Sequence, residues 1–323
     1  MKSISMTLYV LVLMMLATPT YAQDSEATAG DAEMVTQPVV TETDGVENEL
    51  PPIKVMSFNV RWGGAADPPS VWSKRRERVL ETIQAYDPDI LGVQESILRQ
   101  SKYLRDNLEG YIFYGAGRDN GVLAGEMCAV YYRSNRFRRV GGGHFWLSEE
   151  PQVPGSYGWD AGCPRIVTWL RLRDKHDGRT FVVTNTHMDH RGKKARLNGA
   201  ILLREKMMEI AEGEPVIIMG DFNCHEDSDP YAELLGLNDE AGAWLIDSYR
   251  AVHPERTDQE ATYHGFRGGT EGSRIDWVLH TPHFQALTAT IDTTHEGLKY
   301  PSDHFPVTAT LLRIDEAAPQ PVE

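Results

Sequence analysis

The amino-acid sequence predicts an α/β fold in which polar side chains collect at the ends of β-strands. One observation is a set of short aliphatic segments, such as VIIM at residues 216–219, which are typical of buried strands. A second is that these segments end in acids, amides or histidines. A third is the helical spacing of apolar residues in two longer segments. Together these observations predict polar groups gathered at strand ends, where α/β sheets place their ligand sites.

Nine β-strands are expected along the chain, and several of them end in a polar group. The first includes KVMSFNV at residues 54–60, which alternates in period two and finishes near Asn59. The second is an aliphatic run at residues 89–95 that ends at Glu95. The nine strands are expected at residues 53–59, 89–94, 111–115, 127–133, 165–172, 180–186, 215–219, 274–279 and 306–313.

Polar groups also mark the later strands. FVVTNTHMDH at residues 181–190 carries His187, SRIDWVLH carries Asp276, and Asp303 and His304 stand just before the last strand. Taken singly, each could cap a turn or be a satisfied core residue. As a set they would be costly to bury without partners, so the sequence predicts that they partner one another or a metal.

Two segments have the apolar spacing of amphipathic helices, and they lie at about residues 73–86 and 193–212. The spaced residues are Val79, Ile83 and Tyr86 in the first and Leu197, Ile201 and Met208 in the second.

The segment VIIMGDFNCHED at residues 216–227 is the most informative of the strand ends. Its glycine allows the backbone to turn, and Asp221 and Asn223 then share one direction because they are two residues apart. Such an acid can polarise a water molecule while the amide donates a hydrogen bond. A lone GDFN could equally be an Asx turn. The other strand-end residues favour a site.

These motifs resemble the endonuclease/exonuclease/phosphatase superfamily, which includes deoxyribonuclease-like enzymes, abasic-site endonucleases, neutral sphingomyelinases, inositol polyphosphate 5-phosphatases and poly(A)-removing nucleases. The resemblance covers about residues 53–313, and segments such as GWDAGCPRIVTW at 158 resemble a bacterial, often exported, subgroup. The motifs stand in the family's order: SFNVR at 57, QES at 94, NTHMDH at 185, GDFN at 220, RIDWV at 274 and SDHFPV at 302.

The resemblance implies a four-layer sandwich of two mixed β-sheets flanked by helices, the deoxyribonuclease-like fold. It also implies hydrolysis of a phosphate ester by metal-assisted, in-line attack of water. Glu95 is the expected metal ligand, with Asn59 beside it and Asp303 in the metal's outer shell. Because these ligands are oxygens, Mg²⁺ or Mn²⁺ is the expected cofactor. Whether one or two metals bind stays open.

The catalytic roles follow from the same resemblance. Asp221 is expected to orient and deprotonate the water, and Asn223 to hold the water or a phosphate oxygen. His187 is expected to donate to the phosphate. His304 and Asp276 resemble the family's His–Asp couple, in which the carboxylate favours the protonated ring. His304 could serve as a base or as a cationic phosphate clamp.

Three further residues lie in the segments that resemble the exported subgroup, and their expected role is substrate binding. They are Arg118, Arg165 and His264. A guanidinium suits bidentate phosphate binding. A structural role for these residues, in salt bridges or as loop anchors, is the alternative.

Other classes of protein fit less well. THMDH resembles part of the metallo-β-lactamase zinc motif, but Asn185 stands where a further histidine would be needed. GDFN resembles calcineurin-type phosphoesterases, whose early Asp-x-His is absent. A catalytically silent binding module would have lost site residues that are all present here.

Two segments outside the domain have distinct compositions. Residues 1–22 look like a cleavable signal peptide, which predicts a secreted or periplasmic protein, and their apolar run is too short to predict a stable membrane span. Residues 23–50 contain eight acids and no basic or aromatic residue, which predicts a disordered acidic linker. The catalytic domain is therefore expected at residues 51–314, followed by a flexible tail at 315–323.

The formal net charge of −15 comprises +1 at Lys2, −8 in the linker, −3 in the tail and −5 in residues 51–314. A mildly acidic domain lacks the basic surface expected of a tight nucleic-acid binder. Basic runs at 74–78 and 191–196 are interpreted as solvated helix faces. We therefore expect a small phosphorylated or nucleotide-like substrate, with a secreted nuclease acting on DNA or RNA as the alternative. Whether the substrate is a diester or a monoester, and the oligomeric state, stay open.

The cysteines, Cys128, Cys163 and Cys224, have no spacing typical of a zinc or redox site. Whether any two of them pair stays open. Cys224 follows Asn223 and is interpreted as a packed small residue rather than a nucleophile.

Overall fold

The structure, a computed structural model, describes residues 50–314 of the chain. The predicted signal peptide, nearly all of the predicted linker and the predicted tail lie outside these residues. Within them, no helix is long and apolar enough to cross a membrane.

The described chain forms twelve strands and five helices. The strands are β1 (Ile53–Asn59), β2 (Ile90–Ser96), β3 (Tyr111–Tyr114), β4 (Met127–Arg133), β5 (Phe137–Trp146), β6 (Ile166–Asp174), β7 (Thr180–His187), β8 (Val216–Asp221), β9 (Ile246–Asp247), β10 (Asp276–His280), β11 (Phe284–Ile291) and β12 (Val307–Arg313). The helices are α1 (Trp72–Tyr86), α2 (Leu98–Asn107), α3 (Lys193–Ala211), α4 (Asp229–Leu235) and α5 (Ser248–Val252).

The strands form two six-stranded sheets. The first has the order β11-β12-β1-β2-β4-β3, and the second has the order β5-β6-β7-β8-β10-β9. Both are mixed: β1 pairs parallel with β2 and antiparallel with β12, while β8 pairs parallel with β7 and antiparallel with β10. The two strands of each parallel pair run in the same direction, so their carboxyl ends lie at the same edge of the sheet. These ends, on β1, β2, β7 and β8, carry the polar residues predicted from the sequence.

Three apolar cores hold the layers together. Side chains such as Val55 of the first sheet and Phe181 of the second are buried between the sheets. Met56, next along β1, points to the opposite face, as period-two alternation requires, and packs with α1 and α2. Helices α3 and α4 pack on the outer face of the second sheet. The result is the predicted four-layer α/β sandwich.

All nine predicted strands and both predicted helices are present, within about two residues of the expected bounds. The sequence did not predict β5, β9, β11, α2, α4 and α5. In β5, three consecutive glycines at 141–143 weaken the strand signal, and pairing with β6 supplies the order. The remaining missed elements are short or, in β11, largely exposed, so their apolar periodicity is weak.

The interpretation of residues 74–78 as a solvated helix face is wrong for Arg75. This side chain is only 1% exposed. Its Nη1 donates to the carbonyls of Val60 and Pro301, its Nη2 donates to that of Arg61, and its Nε donates to that of Ser70. These carbonyls offset the cost of burying the guanidinium, so the residue anchors loops rather than meeting water.

Candidate active site

The predicted strand-end residues meet at one end of the sandwich. Asn59 closes β1, and Glu95 lies near the end of the parallel strand β2. In the second sheet, His187 of β7 is in register with Asp221 of β8, which in turn faces Asp276 of β10. Residues from both sheets therefore face one cavity.

Asn59 connects the two sheets through its amide nitrogen. Nδ2 donates to Glu95 Oε1 at 3.1 Å and to Asp221 Oδ2 at 2.9 Å. Its Oδ1 accepts from the backbone N–H of Arg61 at 2.9 Å. The sequence predicted Asn59 as part of the metal site through an oxygen. In the structure the amide nitrogen donates to the two carboxylates, while the oxygen accepts the backbone N–H of Arg61.

Glu95 presents an ionised carboxylate to the cavity. Burial raises its pKa, but the hydrogen bond from Asn59, the charge on His304 and the backbone N–H of Trp62, 2.7 Å from Oε2, hold the pKa below its ordinary value. One ligand atom each from Glu95, His187 and Asp221 lies within 4.8 Å of the others. This cluster could hold a divalent metal, with the carboxylate oxygens as hard ligands.

The backbone around the cavity is strained at three residues. Arg61, Glu95 and Asn223 have φ angles of 57°, 60° and 49°, in the left-handed region that residues with a Cβ rarely adopt. Asparagine tolerates this region, but a glutamate there costs of order 1 kcal/mol or more. Strain of this kind persists only where surrounding contacts hold it, as the two hydrogen bonds to Glu95 do.

The surroundings of His304 favour its protonated, positively charged form. Its Nδ1 lies 2.8 Å from Asp276 Oδ2, and its Nε2 lies 3.7 Å from Asp221 Oδ2. Burial alone would lower the pKa of His304, but Asp276 and Asp221 raise it well above its ordinary value. The predicted His–Asp pair is therefore assembled, with the ring nitrogen Nε2 directed at Asp221.

The surroundings of Asp221 disfavour its charged form. Burial and the nearby Asp276 carboxylate raise its pKa, while His304 and the hydrogen bond from Asn59 act in the other direction. A carboxylate whose pKa is raised toward neutral pH is a better proton acceptor at that pH, as general-base catalysis requires.

The surroundings of His187 favour its neutral form. Burial, Arg165 and Arg118 lower its pKa well below the ordinary value. Its Nε2 lies 2.9 Å from Asn223 Nδ2 and 3.3 Å from Asp221 Oδ2. Since the Asn223 amide also donates to the Met188 carbonyl, its remaining N–H is directed at Nε2 of His187, which can accept it in the neutral ring.

Buried ion pairs hold the loop that follows Asp221. Glu226 accepts from Arg250 at 2.9 Å and from the fully buried Arg274, which also contacts Asp247 at 2.7 Å. Arg274 is two residues before Asp276, the partner of His304. The network therefore links the position of the loop to that of the His–Asp pair.

The cavity has a volume of about 330 Å³. Beside Glu95 and Asp221, Asp303 lies in its wall, 3.5 Å from Arg61 Nε. Arg118 and Arg165 line it too, as predicted for substrate-binding residues.

His264 lies outside the cavity lining. Its ring stacks on Phe305 at 4.1 Å and packs against Tyr300. Several residues that line the cavity were not singled out from the sequence, among them Arg61, Glu126, His190 and Tyr263. Arg61 and His190 lie inside the motifs SFNVR and NTHMDH, so position within those motifs was the available signal.

Neither Cys224 nor Asn185 belongs to the catalytic cluster, and no cysteine forms a disulfide. All three cysteines are free, and Cys224 is buried in the core beneath α3 and α4, where burial raises the pKa of its thiol to about 12. Asn185 is fully buried between the sheets, away from the cavity.

Comparison with known proteins identifies the family. A sequence model of the endonuclease/exonuclease/phosphatase family matches residues 56–304. The chain belongs to this family. Its members are hydrolases that act on phosphate esters, and the resemblance and fold predicted from the sequence are confirmed.

Two solved structures from this family resemble the chain in sequence and fold. An endonuclease/exonuclease/phosphatase from Bacteroides vulgatus is 33% identical, with a TM-score of 0.75, over 81% of this chain and 99% of that one. A mannosyl-6-phosphatase from Bacteroides thetaiotaomicron VPI-5482 is 35% identical, with a TM-score of 0.72, over 80% of this chain and 99% of that one.

Among curated proteins, nocturnin from Rattus norvegicus is 25% identical over 79% of this chain. The match spans 64% of that protein's length.

Proposed function

We propose that this protein is a Mg²⁺- or Mn²⁺-dependent phosphoesterase that hydrolyses a small phosphorylated molecule. The observation that carries the proposal is the placement of two carboxylates, Glu95 and Asp221, on either side of Asn59, with the cationic His304 beside Asp221. This arrangement combines a metal ligand, a proton acceptor and a positive charge in one small cavity.

The residues suit what phosphate-ester hydrolysis requires. Water attacks a phosphate only when the phosphate charge is offset and the water is aligned opposite the leaving oxygen. Glu95 would hold the metal, which would supply Lewis-acid stabilisation of the phosphate charge.

The other side chains act on water and phosphate directly. Asp221 accepts the proton of the attacking water, and Asn223, whose amide nitrogen is engaged, presents its oxygen to that water. His304 is placed to stabilise the phosphate as a cation, the clamp role, since its pKa keeps it protonated.

Three observations support a small substrate. A cavity of about 330 Å³ is at the small end of the range for ligand pockets. The domain is acidic, at −5 over residues 51–314, which disfavours a polyanion. A chain 35% identical to this one is a mannosyl-6-phosphatase, which makes a phosphomonoester the first substrate class to test.

The test is a substrate screen with the full chain in Mg²⁺ or Mn²⁺, covering sugar phosphates, nucleotides, inositol phosphates, an aryl phosphodiester, sphingomyelin, RNA and plasmid DNA. We expect turnover that excess chelator abolishes. Asp221→Asn should lower kcat at least about a hundredfold, because general acid–base groups commonly contribute that much. Glu95→Gln should raise the metal concentration needed for half-maximal rate.

Asp106→Asn is the matched control, since this exposed aspartate pairs with Lys102 on α2, and the variant should turn over like the parent. Full activity in excess chelator, or an Asp221→Asn variant as fast as the parent, would contradict the proposal. Salt-sensitive nicking of plasmid DNA without turnover of small esters would make the protein a nuclease.

We also propose that the chain is exported and that the mature protein begins at or within a few residues of Gln23. Residues 1–22 support this through their apolar run and the Thr-Tyr-Ala sequence before Gln23. N-terminal sequencing of protein recovered from the periplasm or medium should find that start. An intact Met1 on cytoplasmic protein would refute export.

A further inference from the structure

One wall of the cavity is built from an arginine and a carboxylate that neutralise each other. Arg118 Nη1 lies 2.6 Å from Glu126 Oε2, and Nη2 lies 2.9 Å from Oε1. Both residues line the cavity. The bidentate geometry fixes both side chains. The pair therefore offers the cavity a rigid guanidinium as a donor and a rigid carboxylate as an acceptor, with little net charge.

Arg165 is the second guanidinium in this wall, and its side chain is 4% exposed. Its Nε donates to Asp189 at 3.3 Å, and its Nη2 lies 2.8 Å from His190 Nδ1. Among residues 50–314, the buried Nη1 of Arg165 and the buried Nε of Arg118 have no hydrogen-bond partner. Neither of these N–H groups is engaged by another group within this range of residues.

The charges in this wall disfavour a second phosphate. Each of the two arginines already faces a carboxylate, Glu126 or Asp189, so neither offers an uncompensated positive charge. A dianionic phosphate placed here would also meet the Glu126 carboxylate. A hydroxyl group fits better, because it both donates and accepts: it can donate to Glu126 and accept from a guanidinium.

We propose that Arg118, Glu126 and Arg165 form a subsite that binds hydroxyl groups on the alcohol part of the substrate, and that the substrate is the monophosphate of a sugar or similar polyol. This inference rests on the proposed function, since the phosphate occupies the end of the cavity that contains Glu95, Asp221 and His304. A site built to hydrogen-bond hydroxyls rejects analogues that lack them, because its buried polar groups are then left unpaired.

The experiment compares kcat/KM for mannose 6-phosphate and glucose 6-phosphate with kcat/KM for 4-nitrophenyl phosphate, whose alcohol part has no further hydroxyl. The parent protein should prefer at least one sugar phosphate. Glu126→Gln should lower the ratio of sugar-phosphate to aryl-phosphate kcat/KM at least about tenfold, the effect of losing one hydrogen bond to a charged group.

Two further variants keep the test decisive. Arg118→Lys retains the positive charge but loses the two parallel N–H donors that bind Glu126, and it should also lower the ratio. This variant tests the subsite even if Glu126→Gln folds poorly. Glu214→Gln is the matched control: this carboxylate pairs with Arg171 at 2.6 Å outside the cavity lining, and the ratio should not change.

The outcomes separate this inference from the proposed function. Equal losses on the sugar phosphates and the aryl phosphate, or a parent protein that prefers 4-nitrophenyl phosphate, would overturn the hydroxyl subsite while leaving a metal-dependent phosphoesterase. No metal-dependent phosphate release from any of these esters, with the parent indistinguishable from Asp221→Asn, would overturn the phosphomonoesterase activity and the subsite with it.

Discussion

At the scale of single residues, the active site holds two histidines whose surroundings favour opposite protonation states. His304 lies between Asp276 and Asp221, so a proton on its ring is stabilised by two carboxylates. His187 is also close to Asp221, yet burial and the nearby Arg165 favour its neutral form. The difference matters for function because a cation can stabilise phosphate charge, whereas a neutral ring accepts the hydrogen bond that orients Asn223.

This difference can be measured by NMR of the ring nitrogens as a function of pH, in metal-free protein. We expect His304 to remain protonated as pH rises through and beyond 6.5, because its pKa is raised. We expect His187 to remain neutral as pH falls below 6.5, because its pKa is lowered. Asp276→Asn should lower the pKa of His304. Titration of both rings near 6.5 would contradict the assignment of charges.

At the scale of secondary-structure elements, helix α1 supports the site through Arg75. This side chain donates to carbonyls in the loop after β1 and to the carbonyl of Pro301, just before Asp303. The helix therefore ties together two loops that enter the cavity wall from distant parts of the chain. Its contribution is to position these loops, since Arg75 does not itself line the cavity.

Replacing Arg75 should destabilise the protein strongly. Arg75→Ala leaves several carbonyls without their donor, and each buried unsatisfied group costs about 1–3 kcal/mol. We expect the free energy of unfolding in urea to fall by at least about 3 kcal/mol. Lys74→Ala, on the exposed side of the same helix, is the control and should change it by less than about 0.5 kcal/mol. Equal effects of the two substitutions would show that Arg75 is not an anchor.

At the scale of the whole molecule, a buried polar contact joins the two sheets away from the cavity. Gln94 Nε2 of the first sheet donates to Asn185 Oδ1 of the second at 2.6 Å. The Asn185 amide in turn donates to the carbonyls of Val93 and Ala129. These bonds form only in one relative placement of the sheets, so they favour the placement that brings Glu95 and Asp221 to the same cavity.

A double-mutant cycle on Gln94 and Asn185 measures this coupling. Asn185→Ala should lower the free energy of unfolding by at least about 2 kcal/mol, since its buried partners lose their bonds. The interaction energy with Gln94→Ala should lie at about 0.5–3 kcal/mol. Asn107→Ala, at the exposed end of α2, is the control for an Asn-to-Ala change outside the interface between the sheets. Additive effects of the two core substitutions would mean that the contact does not couple the sheets.

The sequence by itself determined the α/β class, the central strands and the residues that end them. Strand periodicity indicates which face of a strand is buried, and a polar residue after an apolar run indicates where the strand ends. This local pattern was sufficient to place Glu95, His187 and Asp221 at strand ends. The order of the motifs along the chain was sufficient to predict the family.

Only the tertiary structure decided which groups these residues contact. Asn59 and Asp221 are 162 residues apart, and the orientation of the Asn59 amide depends on that contact and on the backbone of Arg61. The burial of Arg75 and the exclusion of His264 from the cavity likewise depend on packing between distant segments. The physical reason is that hydrogen bonds and ion pairs are made between groups brought together by folding, whereas periodicity records only the environment on each face of a single element.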